Sequence, residues 1–272
     1  MEITNIDFVK NYLEFWLNAT EDKRFTESWH EPSEWTKGHM KFVLYPFARN
    51  IINLEIKARY KNEPRKNLHF KCNDCNRCMQ IDNGADNFNI ACNAYAHNFQ
   101  QEYYKVDFTI FDYEDYGEET NENWTLAYAI EHENCKLTLN EDNKTIKYYG
   151  WFSEFKKLLP IKCANARVII SYDDFDGENG NIKDEKLNMC LNLLNNSFVQ
   201  NYLADTPIIL ILFPSTSAIK NIVDNKQCPV IHIFEFEKKE NEWKTSDLSK
   251  NDLVDKDKFL EVYKTILEIK HN

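Results

Sequence analysis

Lys105-Val-Asp107-Phe-Thr-Ile-Phe111 and, after an acidic loop, Trp124-Thr-Leu-Ala-Tyr-Ala-Ile-Glu131-His-Glu133 are the stretches whose reading decides the fold. The first alternates, with Val106, Phe108 and Ile110 on one face and Asp107, Thr109 and Phe111 on the other, which predicts a strand over 104–111 with Asp107 in its middle. The second predicts a strand over 124–133, and the strand period of two puts Glu131 and Glu133 on one face, with Ala127 and Ala129 leaving that face open. If the two strands pair as an antiparallel hairpin across 112–123, Asp107 and Glu131 come side by side near a sheet edge. Three carboxylates on neighbouring strands repel one another unless a positive charge lies between them. A hard divalent cation with oxygen ligands, Mg²⁺ or Mn²⁺, suits that arrangement.

Outward from this hairpin, the pattern alternates strands with helices. An amphipathic helix is predicted over 151–159, a buried strand over 166–172, and a helix over 183–203 whose stripe is Leu187, Cys190, Leu191, Leu194 and Phe198. Strands follow at 208–213 and 230–236, the latter read as an edge because charges follow it, and a helix at 257–269 closes the chain. Towards the N-terminus, Ile6, Val9, Leu13, Trp16 and Leu17 predict a helix over 5–18 with Asn5 as its cap. An apolar stretch, 42–56, is broken by Pro46. These elements predict an α/β fold with a mixed central sheet flanked by helices. Three parts are expected: an N-terminal helical segment over 1–60, a Cys-rich module over 61–100 and the α/β core over 101–272.

The run Lys105-Val-Asp107, then Tyr128-Ala-Ile-Glu131-His-Glu133-Asn134, then Trp151-Phe-Ser-Glu154-Phe-Lys156-Lys157-Leu158-Leu159, then Arg167 to Tyr172 resembles the core of the PD-(D/E)XK, or restriction-endonuclease-like, nuclease superfamily. The resemblance covers roughly residues 100 to 236. It implies a helix, a strand hairpin carrying an Asp and a (D/E)-X-Lys, a crossing helix and a further strand. It also implies metal-dependent hydrolysis of phosphodiester bonds in nucleic acid, DNA before RNA. Carried over, Asp107 and Glu131 match the metal-binding carboxylates, and Glu133 falls where most members have Lys and a minority have Glu. Asp107, Glu131 and Glu133 are thus the implied catalytic residues, with Lys105, Lys156 or Lys157 as candidate positive charges for the phosphate. Glu14 matches an acidic residue that several members place on the opening helix. Glu55-Ile-Lys57 is a literal Glu-X-Lys, but no Asp precedes it at hairpin distance. A catalytically inactive relative that holds nucleic acid or a protein partner is the alternative reading.

Cys72-Asn-Asp-Cys75-Asn-Arg-Cys78, with Cys92 further on, offers four thiolates with tight loops between the first three. That set suits structural Zn²⁺ or a [4Fe–4S] cluster, with His69 and His97 as spare zinc ligands. Iron–sulfur nucleases of the superfamily have most of their cysteines after the core, whereas all four here precede Asp107. An iron–sulfur redox or sensor protein is a third reading. Cys135, Cys163, Cys190 and Cys228 are scattered and are expected in the core.

The chain has 272 residues and 43% hydrophobic side chains, enough to build a core, and its six glycines form neither a G-x-G-x-x-G nor a P-loop pattern. The start lacks a basic segment followed by an apolar one and the longest apolar run is strand-sized, so a cytoplasmic protein that stays out of membranes is expected. A net charge of −11 argues against nucleic-acid binding through a global positive field. The charge is uneven, however. Acidic residues gather at 112–122, 173–185 and 235–257, while 57–71 is basic, with Tyr60 and Phe70 interleaved, and could follow a phosphate backbone.

Overall fold

The computed structural model describes residues 4–27, 38–44, 46–47, 50–51, 69–71, 78–80, 106–113, 124–133, 138–142, 145–175, 184–215, 219–224, 227–248, 253 and 255–271. Its helices are α1 (Asn5–Ala19), α2 (Lys23–Glu27), α3 (Trp151–Leu158), α4 (Asp184–Leu194), α5 (Ser197–Gln200), α6 (Ile219–Asp224) and α7 (Lys256–His271), with a π-helical turn at Met40–Leu44. Its strands are β1 (His69–Lys71), β2 (Cys78–Gln80), β3 (Phe108–Tyr113), β4 (Trp124–Glu133), β5 (Thr138–Asp142), β6 (Thr145–Tyr149), β7 (Ala166–Asp173), β8 (Ile208–Pro214), β9 (Val230–Glu237) and β10 (Glu242–Asp247).

Six strands form one mixed sheet in the order β10-β9-β8-β7-β4-β3. The middle of it, β4-β7-β8, is parallel; β3 joins β4 antiparallel, and β9 and β10 extend the other side antiparallel. Strands β7 and β8 are buried along their whole length, as parallel strands covered on both faces must be. One face carries α1 and α7: Trp16 of α1 stacks on Phe213 at 4.7 Å and on Phe259 at 5.1 Å. The other carries α3 and α4 through Trp151, Phe155, Cys190 and Leu194. This is the α/β architecture that the alternation of elements predicts. Two further hairpins, β1–β2 and β5–β6, stand outside the sheet.

Several expectations are corrected. Strand β3 starts at Phe108, so Asp107 precedes the strand rather than sitting in its middle. The cause is local: the backbone N–H of His132 donates to Oδ2 of Asp107 at 2.9 Å, so a side chain takes the bond that a ladder carbonyl would accept. Ala127 and Ala129 do not share a face. The pairing slips between Ile110↔Tyr128 and Phe111↔Leu126, and the extra residue, Ala127, packs with Tyr128 on the α1 face while Ala129 packs under α3. The face of Glu131 is therefore roofed by a helix. Thr4, not Asn5, caps α1, through a reciprocal capping box with Asp7.

The helix expected over 183–203 breaks at Asn195 and Asn196, because each asparagine has a competing use. Asn196 caps α5 by accepting from the N–H groups of Phe198 and Val199. Asn195 reaches the sheet edge, where its side chain accepts from Trp243 N–H at 2.7 Å and donates to the Trp243 carbonyl at 3.1 Å. Strand β9 is interior; the edge is β10, reached through a turn in which Asn241 takes φ 54°. Asn195 thus covers part of an edge that would otherwise offer free backbone groups to another strand.

Candidate functional site

The register Phe108↔Ile130 carries Asp107 to the level of Glu131, at the edge where β3 meets β4. Glu131 keeps only 1% of its surface, on the α3 side of the sheet. Helix α3 returns the chain from β4 to the parallel strand β7, and turns Glu154 and Lys157, one turn apart, towards that carboxylate. The Lys157 ammonium lies 2.7 Å from Oε1 of Glu131 and 2.5 Å from Oε2 of Glu154. Lys157 thus bridges Glu131 and Glu154, and the charge of Asp107 acts on Glu131, near the carboxyl end of a parallel strand, where open α/β sheets place their ligands.

Both ends of α3 are tied down. At its start the indole N–H of Trp151 donates to Oδ2 of Asp173 at 2.7 Å, and the fully buried Asp173 is neutralised by Lys186 of α4 at 2.5 Å. At its end the guanidinium of Arg167, on β7, donates to the carbonyls of Leu158 and Leu159. Fixing both ends sets the rotation of the helix and hence the height of Glu154 and Lys157 over Glu131.

Electrostatically the cluster favours added positive charge. Burial pushes the Glu131 carboxyl above its ordinary value, reinforced by the charge of Asp107 and opposed by Lys157. Burial likewise pushes Asp107 up to about 6, against the His132 N–H and the Lys157 charge. Lys157 is raised, because its pairing with Glu131 and Glu154 outweighs its own burial. Two carboxyl groups that resist ionisation side by side are what a divalent cation would relieve, since its charge inverts the local preference. Oxygen donors suit Mg²⁺ or Mn²⁺, and Mg²⁺ typically takes one or two protein carboxylates with water and phosphate oxygens completing its shell. Asp107 and Glu131 fit that pattern. Among the described residues, no group of three or more His, Cys, Asp or Glu side chains is drawn together as a self-sufficient metal cage.

The neighbouring residue, His132, points to the opposite face. Its ring stacks on His39 at 4.0 Å, and the Tyr12 hydroxyl lies 2.9 Å from Nε2 of His39. Burial lowers both histidines, His132 to about 3, so this pair stays neutral and acts as packing beneath the site.

Of the sequence-predicted residues, the structure brings Asp107 and Glu131 together and puts Glu133 half-buried two residues further along β4, where its carbonyl accepts from the Ser171 hydroxyl at 2.7 Å. Lys156 is exposed over the Phe152 ring. Of the two candidate lysines among the described residues, Lys157 is the one that enters the cluster. Glu14 faces solvent on α1, across the sheet from Glu131. Cys72, Cys75, Cys92, Lys105, His97, Cys135, the Glu55–Lys57 motif and most of the basic segment lie outside the described residues; of Cys78 and His69 only the backbone, in β2 and β1, is described. Cys163 and Cys190 are buried, as expected, and Cys228 is partly so. Sequence reasoning missed Glu154, whose signal was its spacing of three from Lys157 on the helix after the hairpin, and the Asp173–Lys186 pair.

Compared with known proteins, the chain matches no family model, no curated protein and no solved structure. Among the described residues no helix is long and apolar enough to cross a membrane.

Proposed function

We propose that this chain is a metal-dependent nuclease that hydrolyses phosphodiester bonds of DNA or RNA. The observation that carries the reading is the convergence of Asp107 and Glu131 beneath Lys157. The order α1, hairpin β3–β4, α3, parallel β7 is also the order implied by the resemblance to PD-(D/E)XK nucleases. Asp107 and Glu131 would hold Mg²⁺ or Mn²⁺, and Glu133, two residues further along β4, is proposed as a third catalytic carboxylate on the strength of the resemblance. A divalent ion bound there supplies a more acidic water and screens charge developing on the phosphate. The motif's usual lysine position is Glu133 here, so the positive charge comes instead from Lys157 on the following helix. Asp107 is fixed by the His132 N–H, and Glu131 is held in a dry setting where charge interactions are weakly screened. The four cysteines Cys72, Cys75, Cys78 and Cys92 are proposed to hold Zn²⁺ or a [4Fe–4S] cluster. The basic residues of 57–71 are proposed to follow the nucleic-acid backbone, at a cytoplasmic location.

A second reading has its own support: Lys157 already compensates Glu131 and Glu154, as in an ion pair kept for structure alone, which suits a catalytically inactive module that holds nucleic acid or a protein. Incubating the protein with single- and double-stranded DNA and RNA, with Mg²⁺, Mn²⁺ or EDTA, separates the two. The nuclease reading expects cleavage with a divalent ion that EDTA stops. Absence of cleavage on every substrate, with binding that survives loss of Asp107 and Glu131, would favour the inactive module.

A further inference from the structure

Lys157 contacts two carboxylates at once, Glu131 across the interface with β4 and Glu154 one turn back on its own helix. Glu131 is sealed, whereas the side chains of Lys157 and Glu154 keep 29% and 22% of their surface. The ammonium therefore sits at the boundary between the buried carboxylate pair and water. A divalent cation on Asp107 and Glu131 would meet that ammonium at the same Glu131 carboxylate, in a setting where like charges a few ångströms apart repel strongly. The lysine has a second partner already in contact, so it can release Glu131 without losing its charge compensation.

We infer that Lys157 is the resident counter-ion of the Asp107–Glu131 pair, standing in for a divalent cation in the metal-free protein and shifting wholly to Glu154 when the cation binds. This rests on the metal reading of the site. The lysine then plays two opposed parts. It keeps the fold intact without metal, and it sets the metal affinity below what the two carboxylates alone would reach, because binding must first move it. After the shift it remains beside the carboxylates, where it can meet a substrate phosphate.

Titrating Mn²⁺ into the full-length metal-free protein, with the free ion followed by electron paramagnetic resonance, tests this on wild type, Lys157→Met and Lys157→Arg. The binding that counts is the part abolished by Asp107→Asn. Lys157→Met is expected to bind Mn²⁺ about tenfold tighter or more, from removal of a weakly screened like charge. Its metal-free melting temperature is expected to fall and to be restored by Mn²⁺, while Lys157→Arg, which keeps the charge, binds like wild type. If wild type binds and Lys157→Met binds equally or more weakly, the inference is overturned and the metal reading stands. If neither binds, both are overturned; binding by Lys157→Met alone supports the inference in its strongest form. Should Lys157→Met fail to fold, wild type decides by NMR: the Lys157 ammonium resonance, identified by its loss in Lys157→Arg, must shift as Mg²⁺ saturates the site. A resonance that stays in place overturns the inference.

Discussion

Replacing Asp107 by Asn, or Glu131 by Gln, is expected to lower divalent-dependent cleavage about a thousandfold or more while leaving the folded protein intact. Both changes keep the shape of the side chain and remove only the charge that would hold a cation, and interactions that stabilise charge in the transition state are typically worth two to three orders of magnitude each. In Asp107→Asn the amide oxygen can still accept the His132 N–H, so the start of β3 is preserved. The stability of these variants moves in the opposite direction from their activity. A carboxyl whose folded pKa is raised leaves the folded state holding more protons than the unfolded one, and stability drains away as pH rises from about 4 through the folded value. Both carboxyls are raised, Asp107 to about 6, so near pH 7 the metal-free protein carries this penalty. Asp107→Asn is accordingly expected to raise metal-free stability by on the order of 1–3 kcal/mol, read as a higher melting temperature. A variant that loses cleavage and also melts early would point to collapse of the fold instead of loss of a ligand.

Arg167→Ala is expected to destabilise the protein by on the order of 3–5 kcal/mol. The guanidinium is fully buried on β7, and its two Nη groups donate to backbone carbonyls: Leu158 and Leu159 at the end of α3, and Ala204 and Thr206 in the approach to β8. It also lies over the Trp243 ring at 5.7 Å. Truncation would leave four carbonyls without these donors, remove a cation from a helix C-terminus and open a cavity between α3, β8 and β10. Arg167→Lys does not rescue it, because one ammonium cannot span the four acceptors that a planar fork reaches. Urea denaturation checks both variants; an Arg167→Ala midpoint close to wild type would show that these contacts do not hold the helix.

The period-two and helical patterns made most of the central sheet legible. The apolar runs at 166–172 and 208–213 are β7 and β8, the hairpin across 112–123 pairs as expected, and 151–159 is α3 within one residue. What escaped was decided by contacts distant in sequence. Ala127 reads as a member of the Glu131 face until a bulge shifts it, and nothing in its neighbours announces the slip. Asn195 and Asn196 fall within a segment whose apolar stripe reads as one helix, and the break follows from a bond to Trp243, 48 residues away. Strand β10 is a charged stretch, Glu242 to Asp247, recognisable as a strand only once Trp243 is seen to be buried. At the site, the strands announce Asp107 and Glu131. The choice between Lys156 and Lys157 rests on the rotation of α3, which the Trp151–Asp173–Lys186 and Arg167 contacts set.

Anomalous scattering from crystals soaked in MnCl₂ is the most direct measurement of whether Asp107 and Glu131 hold a cation. The prediction is a manganese peak within coordination distance of both carboxylates, with Lys157 turned to Glu154. Fully soaked crystals with no anomalous density at those two side chains, and Lys157 still seated on Glu131, would contradict it.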